Sequence, residues 1–244
     1  MDNIAIIFAG GSGVRMGAGI PKQFLEINGE PIIIKTLECF DDHPEIDKIV
    51  IACKEDYIPT LKKYISRFML QKVTKIVPGG KTGQDSIYNA LSAAASDSSD
   101  DSIVLIHDGV RPIITKKLIS ENIASVKKYG SAVTCTPMFE TPVMSTDGQH
   151  VEEVMKRSDF YTAQAPQSFH LGEILAAHDK TRKENPDYTG IVDSCSLMKS
   201  LGKDIMLIKG NRANIKVTTP EDLYQLRGMI SYRETERYFG LDEE

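Results

Sequence analysis

The chain has 244 residues, 41% of them hydrophobic and 26% charged, with a formal net charge of −5. That length suits one sizeable α/β domain spanning 1–244. The negative balance excludes a broad cationic surface for nucleic acid or anionic lipid, so a polyanionic ligand has to be met by a local cluster.

The first apolar run, Ile4–Phe8, is short and bounded by Asp2 and by glycines. It reads as a buried strand, with neither the basic head of a signal peptide nor the length of a membrane span, and the expected location is cytoplasmic. Pro31–Phe40 then reads as a helix opening with proline at its first position. Strand Lys48–Cys53, helix Tyr57–Phe68, strand Val73–Val77, helix Gln84–Ala95, strand Ser102–His107, helix Lys116–Lys128 and strand Ser131–Thr136 follow. Such alternation implies right-handed crossovers and a doubly wound, mainly parallel, Rossmann-like sheet. The four cysteines show no metal spacing and are expected to be reduced.

After Thr136 the rhythm changes. Two prolines and an Asp147-Gly148 turn separate two short extended pieces, the signature of a β-hairpin arm over residues 137–157. The arm is too small to bury a core alone, so it packs on its own domain or reaches a second subunit. Helices over Gly172–Lys183 and Ser194–Leu201, a strand at Asp204–Lys209 and a last helix after Thr219 complete the chain.

In open parallel sheets ligands sit at the carboxyl ends of the strands. Three segments there carry chemistry. Ala9-Gly10-Gly11 and Gly13 lie in a glycine-rich loop whose backbone N–H groups can approach an anion, with Arg15 and Lys22 just beyond to neutralise phosphate charge. The spacing fits neither the dinucleotide fingerprint nor a P-loop, and no acidic residue stands where a ribose would need it; both points weigh against a nicotinamide oxidoreductase. After the third strand, Gly79-Gly80 leads into a helix whose early turn carries Ser86; this suits a flat base, or it is an ordinary strand-to-helix turn. After the fourth, Asp108 would orient a metal-bound phosphate or a sugar hydroxyl. Arg111 either holds Asp108 or faces the base, and a structural Asp–Arg pair is the plainer reading. His107 reads as a packed strand residue. Arg157 and Lys216 are late cations, Lys216 unusual in interrupting an apolar run before a helix cap.

Taken in order, AGGSGVRMGAGIPKQF, GGKTGQDSIYNAL, VLIHDGVRPII, Thr141 in the hairpin, RSDFYTAQAPQSF and NIKVTTPEDL make the chain resemble the polyol-phosphate cytidylyltransferases over nearly its whole length. That family includes the 2-C-methyl-D-erythritol 4-phosphate enzyme of isoprenoid synthesis and the ribitol-5-phosphate enzyme of teichoic-acid and capsule synthesis. The resemblance implies that Arg15 and Lys22 stabilise the α-phosphate transition state, that Lys216 contacts the phosphates or their metal, and that Gly80 and Ser86 lie against cytosine. It places Asp108 and Arg111 near ribose and base. It also implies a homodimer in which Thr141 and Arg157 of one chain grip the substrate phosphate bound by the other, with Asp193 on the acceptor side. CTP, a small polyol phosphate and Mg2+ held mainly by the CTP phosphates are the implied ligands, with no protein metal centre.

The chain departs from the family's usual residues at Gly83, at Val192 before Asp193, at Glu140 before Thr141 and at Gly109-Val110. Several of these fall near the acceptor, which leans the expectation towards D-ribitol 5-phosphate. The methylerythritol phosphate acceptor is the alternative, and a non-catalytic nucleotide-binding protein the remote one.

Overall fold

The computed structural model describes residues 1–11 and 20–239. Its centre is a seven-stranded sheet built from β1 (Asn3–Ala9), β4 (Lys48–Cys53), β5 (Val73–Pro78), β6 (Ile103–Asp108), β7 (Ser131–Pro137), β10 (Tyr161–His170) and β11 (Leu207–Lys209). Two short antiparallel pairs stand apart: β2 (Glu26–Ile27) with β3 (Glu30–Pro31), and β8 (Val143–Met144) with β9 (Glu153–Val154). Across the large sheet the order is β11-β7-β10-β6-β1-β4-β5, and every neighbouring pair is parallel except those made by β10.

The alternation of β1 explains the two layers of helices. Ala5, Ile7 and Ala9 face a core with α1 (Ile32–Asp41), α2 (Ile58–Arg67) and α4 (Lys116–Tyr129). Ile4 and Ile6 face the opposite core with α3 (Gly83–Ala95), α5 (Leu171–Glu184) and α6 (Ser194–Ser200). A strand covered on both faces must be apolar throughout, and Ile103–Ile106 are all buried. A smaller core of Ile27, Ile32, Val110, Ile113, Val217 and Leu226 seats α7 (Pro220–Phe239) against the loop after β6.

Two expectations need correction. Pro31 is not the first helical residue: it caps α1 in extended conformation while pairing in β3, since its fixed φ serves either place. Periodicity assigns no strand to Tyr161–His170, yet β10 lies centrally between β6 and β7, antiparallel to both. Its Pro166 falls where the register shifts between Ala163 and Gln167, so the missing N–H removes no ladder bond. Two of its buried polar side chains are bonded inside: Ser168 Oγ donates to Asn122 Oδ1 at 3.0 Å, and Gln167 Nε2 donates to Asp193 Oδ2 at 2.8 Å.

The hairpin forms as expected, with Val143 opposite Val154 and Met144 opposite Glu153. It is the connection between β7 and β10, so the arm springs from the middle of the sheet.

Candidate active site

The sheet reverses its winding at β1, with β4 and β5 added on one side and β6 on the other. A crevice opens where consecutive strands diverge in this way. The carboxyl ends there are Ala9-Gly10-Gly11 of β1 and Asp108 of β6, with Gly79-Gly80 following β5.

Backbone packing brings the β1 and β5 ends together. A Cβ on Gly10 would lie 2.5 Å from Ser86 Oγ and 3.6 Å from Gly79 Cα, so any side chain would push the two loops apart. Gly80 is tighter still, with a Cβ there falling 2.1 Å from Asp85 Cβ. The turn into α3 is cross-braced. Ser86 Oγ accepts from Gly80 N at 3.0 Å and donates to the Thr82 carbonyl at 2.9 Å, while Thr82 and Asp85 form a reciprocal cap. Ser86 is thus fully buried and engaged in shaping the turn. The cap on α3 is Thr82, which the sequence reading did not single out.

Gln23 was missed as well. Buried in a 3-10 turn over Lys22–Phe24, it donates from Nε2 to the carbonyls of Ala9 (2.6 Å) and Gly11 (3.2 Å). It stitches the returning chain onto the β1 end and so brings Lys22 beside it. The PKQF tetrapeptide carried that signal, but only its lysine attracted chemical interest. Arg15 and Gly13, assigned to the same cradle, lie outside the described residues.

Asp108 anchors the other side. Its buried carboxylate accepts from Arg111 Nε at 2.8 Å and pairs with Lys216 Nζ. Burial alone would raise its pKa, but Lys216 and Arg111 outweigh that cost and hold it down at about 2. Arg111 Nη1 also donates to the Asn214 carbonyl at 2.7 Å, and Asn214 Nδ2 donates to the Ala165 carbonyl at 2.6 Å. Val217 N reaches the Val110 carbonyl at 3.0 Å. These bonds fold the 214–217 segment over the end of β6. Arg111 therefore does hold Asp108, one of the two roles left open, and Lys216 owes its odd position to the same carboxylate. Its ammonium also stands 5.9 Å above the Phe8 ring.

His107 is a core residue. Its Nε2 donates to the Arg111 carbonyl at 3.1 Å, its ring meets Phe40 edge-on at 5.1 Å, and burial pushes its pKa down to about 4.

The acceptor-side assignments are spread out. Asp193 caps α6, taking Ser196 N at 2.8 Å besides the Gln167 amide. Thr141 and Arg157 are exposed on the arm, where Arg157 Nη1 donates to the Phe139 carbonyl at 3.0 Å. Arg212 stacks on the other side of that residue's chemistry, 3.9 Å over the Phe139 ring. Among the described residues no group of three His, Cys, Asp or Glu side chains is placed to hold a metal, and no helix is long and apolar enough to cross a membrane.

A doubly wound sheet with glycine strand ends, a capped helix N-terminus and fixed cations at its switch point defines an α/β nucleotidyltransferase. Residues 3–230 match the family model of IspD, 2-C-methyl-D-erythritol 4-phosphate cytidylyltransferase. The chain belongs to that family and is a cytidylyltransferase. It is 45% identical over 239 residues to a ribitol-5-phosphate cytidylyltransferase of Vibrio parahaemolyticus, covering 98% of this chain and 100% of that one. A 2-C-methyl-D-erythritol 4-phosphate cytidylyltransferase of Clostridium botulinum is 40% identical over 221 residues, covering 91% and 94%. Among solved structures, the 4-diphosphocytidyl-2C-methyl-D-erythritol synthase of Anaerococcus prevotii superposes with a TM-score of 0.80 at 26% identity, covering 94% of this chain and 96% of that one. Family membership implies a divalent cation.

Proposed function

We propose that the protein transfers CMP from CTP to D-ribitol 5-phosphate, forming CDP-ribitol and releasing pyrophosphate. The observation that carries the site is the Asp108–Arg111–Lys216 cluster beside the Gly10 and Gly80 strand ends. The observation that favours ribitol phosphate is the 45% identity to the Vibrio enzyme across essentially both whole chains.

An acceptor phosphate oxygen attacks the α-phosphorus of CTP, the bond to the bridging oxygen breaks, and the electron pair leaves on pyrophosphate. With a second pKa of about 6, a phosphate monoester is already largely a dianion at neutral pH, so no general base is needed. His107, neutral and bonded to a carbonyl, is not asked to serve as one. The chain's tasks are alignment and charge neutralisation. Gly10, Gly11 and Gly13 with the Ala9 end of β1 cradle phosphates; Arg15, Lys22 and Lys216 balance the charge that builds at the α-phosphate. Gly80 backbone, fixed by Ser86, receives the base, and Asp108 and Arg111 border the ribose.

Mg2+ is the proposed divalent cation. Asp108 is ionised at the strand end but already engaged by two cations, a donor set that fits a metal carried in on CTP oxygens better than one caged by protein. When bound, the ion would draw electron density from the phosphoryl oxygens. The arm, residues 137–157, is proposed to exchange between the subunits of a homodimer, offering Thr141 and Arg157 to the acceptor phosphate in the partner's site while Asp193 lies on the acceptor side of its own.

The deciding experiment is a panel of polyol phosphates with CTP and Mg2+, followed by pyrophosphate release. Ribitol 5-phosphate is expected to give the highest kcat/KM; preference for methylerythritol phosphate, the reading favoured by the Clostridium relative, would overturn the acceptor assignment. Lys22→Ala is expected to lower turnover about 10²–10³-fold, the usual loss when a donor to a developing oxyanion is removed.

A further inference from the structure

α5 carries a cation to which the reaction above gives no task. Arg182, in the last turn of α5, donates from Nη1 to Asp85 Oδ1 at 2.7 Å, and its guanidinium lies 4.3 Å over the Tyr88 ring. Tyr88 Oη in turn donates to Asp179 Oδ1 at 2.9 Å, three residues back along α5. Behind the guanidinium, the buried Tyr188 hydroxyl sits 2.7 Å from His178 Nδ1. Burial pushes His178 down to about 4, so the neutral imidazole can accept the phenolic proton, which leaves the Tyr188 oxygen to interact with Arg182. Three elements thus converge on one guanidinium.

What they hold is Asp85. Its other oxygen, Oδ2, accepts from Thr82 N at 3.1 Å and Thr82 Oγ1 at 2.9 Å, closing the cap of α3. Its Cβ is also the atom that leaves Gly80 no room for a side chain. The carboxylate gripped from α5 and the floor beneath Gly80 are therefore the same residue. Burial disfavours the Asp85 anion, and Thr82 and Arg182 more than offset that, so its pKa is lowered.

We propose that Arg182 is a positioning residue for base selection: by holding Asp85 from α5 it fixes the Gly79–Gly80 backbone at the height that separates cytosine from uracil. The inference rests on the cytidylyltransferase reading. Cytosine offers a donor at N4 and an acceptor at N3 where uracil offers the reverse. The Gly79 and Gly80 amides already donate to the Cys53 carbonyl and to Ser86 Oγ, so the base is read by a backbone carbonyl: held rigidly, it accepts from the N4 amine of cytosine but meets the O4 of uracil acceptor to acceptor. If the turn shifts by a few tenths of an ångström, both bases meet compromised geometry and the preference shrinks. A guanidinium suits the task because it can bond a carboxylate, stack on a ring and meet a phenol at once, which an ammonium cannot.

The test compares full-length wild type with Arg182→Ala and Arg182→Lys. Calorimetry measures the Kd of CTP and of UTP with Mg2+, and steady-state assays give the acceptor KM. Arg182→Ala is expected to weaken CTP about tenfold and UTP little, so that the CTP/UTP ratio collapses, while the acceptor KM stays within about twofold. Arg182→Lys should keep an intermediate ratio. A CTP/UTP ratio within twofold of wild type in Arg182→Ala would overturn the proposal, as would equal weakening of CTP, UTP and acceptor, which marks a mere structural prop. If Arg182→Ala does not fold, Arg182→Lys and Asp85→Asn are judged by the same ratio. Wild-type protein that binds CTP without turnover would overturn the transferase reading and leave the ratio decisive for Arg182; protein that binds no CTP would overturn both.

Discussion

The cluster at the strand ends and the arm between β7 and β10 hold their polar residues in opposite ways. At the strand ends, backbone meets backbone: Gly10 lies against Ser86 and Gly79, Gly80 lies on Asp85, and Asp108 is buried between two cations. On the arm, Phe139, Val143, Met144, Val151 and Val154 are exposed, and the local bonds, such as Gln149 N and His150 N to Asp147 Oδ1, lie in solvent. The first region is set before any ligand arrives; the second has apolar side chains still to bury. A single methyl group should therefore be ruinous in one and barely felt in the other.

The sharpest contrast is at Lys216. Lys216→Ala removes the cation proposed to meet the phosphates and one partner of Asp108, and kcat/KM should fall about 10²–10³-fold in a pyrophosphate-release assay. Next comes Gly80→Ala, whose methyl would overlap Asp85 Cβ. Overpacking of about 1–3 kcal/mol at the proposed base site should weaken CTP by roughly 10- to 100-fold, measured by calorimetry. Gly83→Ala, three residues on at the start of α3 with nothing within 4 Å of its added Cβ, should leave CTP affinity within about twofold and stability within about 1 kcal/mol. Equal losses at Gly80 and Gly83 would break the claim that close approach is what matters.

Asp108 tests the strand ends through acid. An unfolded aspartate titrates near 3.8 and this one at about 2, so its stabilising contribution is complete above the higher value and lost as pH falls through the lower. The shift corresponds to about 2 kcal/mol. Denaturant titrations should show wild type losing its advantage over Asp108→Asn between those two pH values. The smallest effect belongs to the arm: Val143→Ser with Val154→Ser should change subunit stability by no more than about 0.5 kcal/mol while weakening self-association in analytical ultracentrifugation. If those substitutions unfold the chain, the arm is packed on its own domain and the contrast fails.

How far the sequence could be read follows the same division. β1, β4, β6 and β7 are buried on both faces and announce themselves as apolar runs, and α3 and α4 show helical spacing with threonine caps. The hairpin was legible from its prolines and the Asp147-Gly148 turn. β10 was not, because its burial rests on partners distant in sequence. Gln167 reaches Asp193 and Ser168 reaches Asn122, and neither pairing leaves a local mark. An Asp108–Arg111 pair was legible in the turn after β6; that Lys216 joins the same carboxylate is a matter of the 214–217 segment folding back, which no spacing reveals. Gln23 and Arg182 were invisible for a related reason. Each works by bonding protein rather than ligand, so neither stands out as a chemical group awaiting a substrate.

The central place of β10 also bears on how the chain is made. Because it separates β6 from β7, the sheet cannot close when those two strands have emerged from the ribosome; both keep an open edge until His170 has been added. Synthesis must meanwhile pass through the whole arm, with its exposed valines, before the strand that seals those edges exists. A released chain truncated at Phe160 should accordingly be protease-sensitive across β6 and β7, and one truncated after α5 protected there, so that the arm is born ahead of the platform it projects from.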